Sequence, residues 1–254
     1  MCARLESAER SGLPIHRAEY KCDATSLEGF IQQLAVAYVA RGYYFYVTGC
    51  VPKRIAAGEH DRRMLSKFDV AMSKWSRYRR RRRVRPGGRP LACVQYLRHE
   101  DFWVLLATHG EHYFFIEHAA VQEGLRLLKP QYRDIREQPI QYGGYSVSSG
   151  KRTSVRISER AYRELKSHFV GMAIATTRQS LEREFGRAPF EPYGGVTRQM
   201  FAILRAVNRV RKTAGLALVL RDCIRVRRQV VRPFDDSPIR RISDVNNDQF
   251  PLAA

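Results

Sequence analysis

Imidazole and carboxylate side chains are concentrated in one short stretch, THGEHYFFIEH at residues 108–118. Neutral histidine and carboxylate can bind a divalent metal that activates water or orients a phosphate ester, which is the chemistry of a metal-dependent nuclease. Residues three apart on a strand point to opposite faces, so these side chains converge only if the chain turns at Gly110. We therefore expect hairpin-turn and surface residues here and assign no metal ligand. The catalytic candidates of this stretch are His109, Glu111 and His112, and its other potential ligands are Glu117 and His118.

Tyr162, near the start of a predicted helix, suggests a second chemistry, the attack of a tyrosine on a DNA phosphodiester. The coarse order of elements resembles that of the HUH endonucleases, the replication initiators and small transposases of mobile elements. Those enzymes pair such a tyrosine with an antiparallel sheet bearing His-hydrophobe-His. The sequence contains no His-x-His, so we do not assign the chain to that family. Tyr162 also falls on one helical face with Leu165 and Phe169, which predicts a core position for its ring.

Other catalytic signatures are absent from the sequence, including the GxxxxGK[ST] phosphate loop, GxGxxG, the GxSxG elbow and HExxH. The five cysteines are odd in number and form no CxxC pair, which argues against a disulfide scaffold and a zinc ribbon. We expect no cofactor, with a divalent metal only under the nuclease alternative. The sequence favours a binding protein over an enzyme.

Two stretches carry the whole net charge of +20. The first basic block, residues 61–98, contains 13 Lys and Arg against 2 Asp and Glu, and the second, residues 196–234, contains 10 against 1. They contribute +11 and +9, so the rest of the chain is neutral overall. Charges of one sign at this density repel one another, and a partner of opposite sign is expected for them. A phosphate backbone is such a partner.

The first basic block combines arginine with aromatic side chains. Its run RYRRRRRVRPGGR, residues 77–89, predicts a helix end and then a loop, since proline and glycine stop a helix. Guanidinium groups suit bidentate phosphate contacts, and rings such as Trp75, Tyr78 and Tyr96 can stack on bases. The alternative is a solvated helix end or a localisation signal, with Trp75 in the core. The predicted contacts are Lys74, Arg77, Tyr78, Arg79, Arg80, Arg81, Arg82, Arg83, Arg85 and Arg89.

The second basic block places its cations on a predicted scaffold. A helix over residues 196–213 has an apolar stripe, and its cations lie largely off that stripe. Residues 216–232 alternate in part, with apolar residues set against Arg225 and Arg227, which predicts a basic strand. Polar surfaces normally mix signs, whereas Asp222 is the one acid of this block. The predicted contacts are Arg198, Arg205, Arg209, Arg211, Lys212, Arg225, Arg227 and Arg228.

These patterns favour a nucleic acid as the partner, with the two basic blocks converging on one side of the molecule to hold its sugar-phosphate backbone with little base specificity. RNA is slightly preferred over DNA. A membrane is not expected, since apolar runs such as residues 34–40 and 102–107 are far below the roughly 18 residues that span a bilayer. Two alternatives stay open. One is a nuclease or strand-transfer protein of a mobile element, and the other is a scaffold subunit of a ribonucleoprotein.

The elements that position these residues follow from periodicity and from helix-breaking residues. The predicted helices run from a capping box at Thr25 and Glu28 to Gly42, from Asp61 into the arginine run, from Ser158 to Gly186, and over residues 196–213. The predicted strands are residues 43–51, a hairpin of 91–99 with 102–108, a possible extension at 113–116, and a second hairpin of 145–148 with 154–157.

Local hairpins beside separate helices predict an α+β fold, with antiparallel hairpins, segregated helices and one main core. Because residues 1–12 lack an apolar segment, we expect no secretory signal and a cytoplasmic location. The predicted organisation is a flexible arm at 1–24, an α+β core at 25–187, a basic helix-strand unit at 188–234 packed on that core, and a flexible tail at 235–254.

Overall fold

The computed structural model describes residues 20–70, 74–82, 90–119, 122–123, 126–127 and 131–235. Within them the chain forms helices and antiparallel sheets around one main core, which confirms the predicted α+β class. The helices are α1 Leu27–Gln32, α2 Ala57–Lys67, α3 Lys74–Arg82, α4 Tyr113–Glu117, α5 Glu159–Ala175, α6 Arg178–Gly186 and α7 Gly194–Thr213. The strands are β1 Tyr43–Cys50, β2 Val94–His99, β3 Phe102–Thr108, β4 Gln122–Glu123, β5 Arg126–Leu127, β6 Arg133–Asp134, β7 Ile140–Tyr142, β8 Tyr145–Ser149 and β9 Thr153–Ile157. None of the described helices is both long and apolar enough to cross a membrane.

The first helix begins one residue later than the sequence predicts. Ser26, not Thr25, is its N-cap, and the Ser26 hydroxyl oxygen accepts a 3.1 Å hydrogen bond from the Gly29 amide. The helical path continues through a π-helix and a 3-10 turn over residues 33–41, and it ends at Gly42 as predicted, where φ is 93°. Glycine adopts this left-handed conformation without a steric penalty, which explains the stop.

The larger sheet has the strand order β2-β3-β1-β6, and its pairs are antiparallel. β2 and β3 form the first predicted hairpin. Apolar residues run continuously along β3 because both faces of this sheet are covered. Val104 and Leu106 belong to the main core, whereas Leu105 belongs to a second cluster with Phe68 and Phe114.

Residues 20–24 lie along the outer edge of β2. The Ala24 amide donates a 2.7 Å hydrogen bond to the Arg98 carbonyl oxygen, and the Arg98 amide donates one of 2.7 Å to the Cys22 carbonyl oxygen. Backbone groups of an edge strand are thereby paired within the chain. The remainder of the predicted arm, residues 1–19, and the tail from residue 236 lie outside the described residues.

The prediction of one helix from Asp61 into the arginine run is wrong. α2 begins earlier and ends at Lys67, and the Val70 amide then donates a 3.0 Å hydrogen bond to the Leu65 carbonyl oxygen. Asp69 between them has a left-handed φ of 48°. A bond of this span around a left-handed residue is a Schellman stop. α3 is therefore a separate helix, and its faces are independent of those of α2.

The expected strand at residues 113–116 is instead the short helix α4. His112 is its N-cap, and the imidazole Nδ1 accepts a 3.0 Å hydrogen bond from the Phe114 amide. The Phe114 ring is fully buried in the second cluster. Periodicity cannot distinguish helix from strand in an apolar run this short, which explains the error.

The smaller sheet, β7-β8-β9, contains the second predicted hairpin. The prediction of one long helix over residues 158–186 is wrong, because the chain divides into α5 and α6. Thr176 is extended, with φ −124° and ψ 147°, and Thr177 is the N-cap of α6. The division allows Phe185 to fold back on Phe169, and their stacked ring centroids lie 4.0 Å apart.

α7 packs on α5 and on β9. At its first turn, a Cβ added to Gly195 would overlap the Val155 carbonyl oxygen of β9. The helix can approach the sheet this closely because glycine has no side chain. The apolar face of α7, which includes Met200, Ile203 and Val207, is buried in the main core.

Residues 216–232 do not form the predicted strand. They contain a 3-10 turn, Arg221–Cys223, and otherwise run as irregular chain. Side-chain amides replace a strand partner: Asn208 bonds both the amide and the carbonyl of Val219 at 2.9 Å, and Gln32 bonds both groups of Val231. Because these contacts satisfy the backbone, the partial alternation of this segment does not require a sheet.

Candidate functional site

Helix α3 presents aromatic rings and cations on its exposed face. At 100° per residue, Trp75, Tyr78, Arg79 and Arg82 fall within an arc of about 100°. Trp75 is 64% exposed and Tyr78 is 48% exposed, and both arginines are exposed too. The alternative that Trp75 fills the core is therefore wrong. It assumed a helical phase continuous with α2, which the stop at Asp69 removes.

The side chains on this face form a stacked ladder. The rings of Trp75 and Tyr78 are nearly parallel, at 18°, with centroids 5.5 Å apart. One turn further on, the Arg82 guanidinium lies 5.6 Å from the Tyr78 centroid and donates a 2.8 Å hydrogen bond to the phenol oxygen. Indole, phenol and guanidinium thus follow one another along one line of the helix, where side chains three and four apart meet.

The opposite face of α3 packs toward the protein. Arg77 and Arg80 are half-buried. Arg80 donates a 2.9 Å hydrogen bond to the carboxylate of Asp69, and the Cys93 thiol lies 3.5 Å from the Arg77 carbonyl oxygen. These two predicted contact residues therefore help to hold α3 in place.

The side chains of the remaining predicted contacts of the first block lie outside the described part of the structure. Lys74 and Arg81 belong to α3, but their side chains lie outside the described part of the chain. Arg83, Arg85 and Arg89 are themselves outside the described residues.

Two further residues of the first block are interior. The Tyr96 ring is fully buried, so the prediction that it could stack on a base is wrong. Its hydroxyl donates a 2.7 Å hydrogen bond to Asp61, which also accepts from the Arg98 guanidinium at 3.0 Å. The Arg98 side chain reaches Asp23 as well, at 2.7 Å. This cation is therefore neutralised inside the fold.

Four cations form one stripe along α7. Taking Arg198 as zero at 100° per residue, Arg205, Arg209 and Lys212 lie within about 40° of it, and the stripe is about 21 Å long at 1.5 Å per residue. All four side chains are exposed. α7 contains no acid, and no described carboxylate pairs with any of the four. We call these residues the α7 stripe.

Arg221 extends this surface, although the sequence did not predict it as a contact. Its guanidinium lies 5.0 Å from the centroid of Phe201, a residue of α7 next to the stripe. Arg221 is exposed. It follows α7 in the chain after a turn, so no helical or strand period could have placed it there.

Arg211 was predicted as a contact, and the structure places it in the interior with 3% exposure. Its guanidinium donates hydrogen bonds to three carbonyl oxygens, those of Ala217 at 2.6 Å, Ala173 at 2.7 Å and Thr176 at 3.0 Å. The last two carbonyls belong to the carboxyl end of α5, where orphan acceptors favour a cation. This arginine is a structural cap and does not belong to the α7 stripe.

The three arginines predicted on a strand have separate environments. Arg225 donates to the carbonyl oxygens of Ala188 and Phe190, at 2.8 and 3.2 Å. The Arg228 guanidinium lies 4.9 Å from the ring centroid of Tyr193, and it is half-buried. Arg227 is exposed. Only Arg227 among them presents a side chain without a described protein contact.

The candidate ligands near His109 have roles in the turn. Burial, and then the nearby Arg80 charge, lower the pKa of His112 to about 4. Its neutral Nδ1 caps α4. The Glu111 amide and carbonyl oxygen bond to the backbone of residues 90–92. His109 is exposed, with its ring 6.4 Å from that of Phe45.

The other candidate chemistries are not assembled in the described part of the chain. No group of three or more His, Cys, Asp or Glu residues within it could hold a metal ion. Tyr162 packs against the main core, as its helical position predicted, and it is partly buried. A nucleophilic tyrosine requires an adjacent metal or base, and no hydrogen bond of the Tyr162 hydroxyl to another side chain is described.

The two surfaces contact different parts of the fold. The described polar contacts of α3 reach Asp69 and Cys93, whereas those of α7 reach α5, β9 and the segment after α7. No described hydrogen bond or ion pair joins α3 to α7. The convergence of both basic blocks on one side of the molecule therefore stays a prediction.

Comparison of the chain with protein-family models, with curated proteins and with solved structures gave no match. The function of the chain is therefore inferred from the side chains described above and from the physical chemistry of the surfaces that they form.

Proposed function

We propose that the chain binds nucleic acid in the cytoplasm, gripping the sugar-phosphate backbone through its two Arg-rich blocks with little base specificity, and RNA slightly more than DNA. The observation that carries this proposal is the α7 stripe, a line of exposed cations without described acidic partners. Cations in such a line can neutralise several phosphates along one nucleic acid backbone.

Two arginines on α5 are instead neutralised by acids of the same helix, and this contrast supports the proposal. On α5, Arg160 lies 2.9 Å from Glu164, and Arg163 lies 2.9 Å from Glu159. Pairs of this kind four residues apart are ordinary features of a solvated helix. The α7 stripe lacks them, so its charges repel one another until an anion is bound.

The stripe also has a rigid base. The opposite side of α7 is buried in the main core, and Arg211 ties its last turn to α5. Gly195 allows its first turn to contact β9 closely. Cations on a fixed scaffold lose less conformational freedom when they bind a phosphate than cations on a loose chain do.

Helix α3 provides further support from the first block. Arg79 and Arg82 are exposed on its outer face, and neither is paired with a described acid. Arg82 is oriented by its hydrogen bond to Tyr78. A planar guanidinium held in this way suits a bidentate phosphate contact.

Salt-dependent binding tests the proposal. The affinity for labelled random oligonucleotides of RNA and DNA is measured by anisotropy over a series of salt concentrations. Each phosphate neutralised contributes about 0.7 to 0.9 to the log-log slope. We expect Arg205→Gln with Arg209→Gln to lower the slope by about 1.4 to 1.8. The matched control is Arg160→Gln with Arg163→Gln, which removes the same charge from α5.

Equal effects of the two double variants would show that net charge alone matters, and the assignment of the α7 stripe would be wrong. A slope below about 2 for the unmodified protein would contradict backbone binding altogether. Competition between RNA and DNA of one sequence measures the preference between them, and a clear preference for DNA would contradict the proposed order.

A further inference from the structure

We infer that the outer face of α3 is a stacking platform for unpaired bases, so that the nucleic acid bound there is single-stranded. We call Trp75, Tyr78 and Arg82 the α3 platform. The inference rests on the proposed function, and it adds a substrate class that backbone contacts alone do not specify. Base–aromatic stacking is insensitive to sequence, because every base presents a π-face.

The exposure of the Trp75 ring is unusual for a tryptophan. Tryptophan is usually highly buried on average, yet this side chain is 64% exposed on the outer face of its helix. Among the described rings, Tyr78 alone contacts it. Parallel stacking of the two rings uses one face of the indole, and a flat ligand ring could therefore lie against the other.

The charge around the rings selects the occupant. The described side chains on this face are aromatic or cationic, and Arg82 is stacked on Tyr78. An apolar protein surface would gain from the rings but would bury the guanidinium groups without a counter-ion. A nucleic acid strand supplies both a ring for the indole and phosphates for Arg79 and Arg82.

The platform favours unpaired bases for a geometric reason. In a duplex each base is stacked between its neighbours, so an exterior ring reaches a base face only at an end or after unstacking costs of a few kcal/mol. In single strands the base faces are accessible. A duplex should therefore contact the cations of the protein without engaging Trp75.

Tryptophan fluorescence isolates the platform. The chain has two tryptophans, and Trp103 is partly buried on β3. Trp103→Phe leaves Trp75 as the single reporter. This protein is titrated with a single-stranded dT oligonucleotide, with a duplex of equal length, and with inorganic polyphosphate as a polyanion without bases. We expect the single strand to quench Trp75 emission, and the duplex and polyphosphate to leave it nearly unchanged.

Affinity measurements give the second readout. We expect Tyr78→Ala and Trp75→Ala to weaken single-strand binding about 5- to 150-fold, and duplex binding less than twofold. The matched control is Tyr113→Ala, on α4, because Tyr113 is 46% exposed where Tyr78 is 48% exposed. Far-UV circular dichroism and a thermal melt confirm that each variant is folded, and Trp75→Phe keeps an aromatic ring and should retain most of the affinity.

The outcomes separate this inference from the proposed function. Unchanged single-strand affinity in Trp75→Ala, with the salt slope intact, would overturn the platform and leave backbone binding standing. Equal quenching by polyphosphate would also overturn it, since a bare polyanion cannot stack. Absence of binding to any oligonucleotide at low salt would overturn the proposed function and the platform together.

Discussion

The guanidinium of Arg211 on α7 donates a 2.7 Å hydrogen bond to the carbonyl oxygen of Ala173 on α5. Two other carbonyl oxygens share the same side chain, so this cation is surrounded by backbone acceptors and is 3% exposed. Arg211, which the sequence predicts to contact nucleic acid, thus joins two helices of the fold instead. It also fixes the last turn of α7, where the exposed stripe ends at Lys212.

We expect Arg211→Gln to lower the free energy of unfolding by about 3 kcal/mol, because buried carbonyls lose charge-assisted bonds worth about 1.5 to 3 kcal/mol each. Arg209→Gln, two residues away on the exposed stripe, should change it by less than about 0.5 kcal/mol. Urea denaturation of the two variants measures the difference. If Arg209→Gln were the more destabilising of the two, the orientation of α7 described here would be wrong.

A buried ion pair provides a second test of the fold. Asp61 accepts from both Arg98 and Tyr96, and the Asp61 and Arg98 residues are each 7% exposed. Removing one partner of a buried pair costs about 3 to 5 kcal/mol, because the other charge is left without a counter-ion. We expect Asp61→Asn to destabilise the protein near the lower end of that range, since the amide keeps some hydrogen bonding.

Asp69→Asn is the control for this pair, because Asp69 bonds Arg80 at 2.9 Å with its own side chain 69% exposed. Exposed pairs contribute about 0 to 1 kcal/mol. Thermal melts of Asp61→Asn and Asp69→Asn at one pH should therefore differ clearly. Similar melting temperatures would show that the Asp61 site is solvated.

The elements that the sequence predicted well are those with a strong period or a capping signal. The hairpin of β2 and β3, the helix start at Ser158 and the helix stop at Gly42 are all present in the structure. Each depends on residues near one another in the chain. Local signals of this kind are sufficient to locate an element.

The sequence-based predictions were wrong where tertiary contacts determine the local structure. The helix stop at Asp69 is accompanied by the burial of Val70. The irregular path of residues 216–232 depends on hydrogen bonds from Asn208 and Gln32, and Gln32 is far from this segment in sequence. Neither the burial of Val70 nor these hydrogen bonds can be inferred from the local periodicity of the sequence. The same reason explains the candidate site: charge density predicted the blocks, whereas the interior position of Arg211 follows from the packing of α7 on α5.

The N-cap of α4 makes stability depend on pH. His112 has its pKa lowered to about 4 from an ordinary 6.5, by burial and then by Arg80. Between these values the unfolded chain binds a proton that the folded protein does not, so the free energy of unfolding falls as pH falls from about 6.5 to about 4. At pH 5 the expected loss from this residue is about 2 kcal/mol relative to pH 7.

His112→Asn supplies the control for this effect, because asparagine is a good N-cap and does not titrate in this range. We expect the unmodified protein to lose about 2 kcal/mol more than this variant between pH 7 and pH 5, measured by urea denaturation at each pH. Parallel losses in the two proteins would show that the imidazole is solvated in the folded state.

Cleavage of a bound strand separates the proposed function from the nuclease alternative. The Nδ1 lone pair of His112 is occupied by the Phe114 amide, and Tyr162 packs against the main core. We therefore expect labelled single- and double-stranded oligonucleotides to be bound and to stay intact, with Mg²⁺, with Mn²⁺ and with EDTA. Metal-dependent cutting that disappears in His112→Asn, or cutting that disappears in Tyr162→Phe, would overturn the binding proposal in favour of the enzyme. Cutting that both variants retain, and that persists after a further purification step, would also overturn the binding proposal.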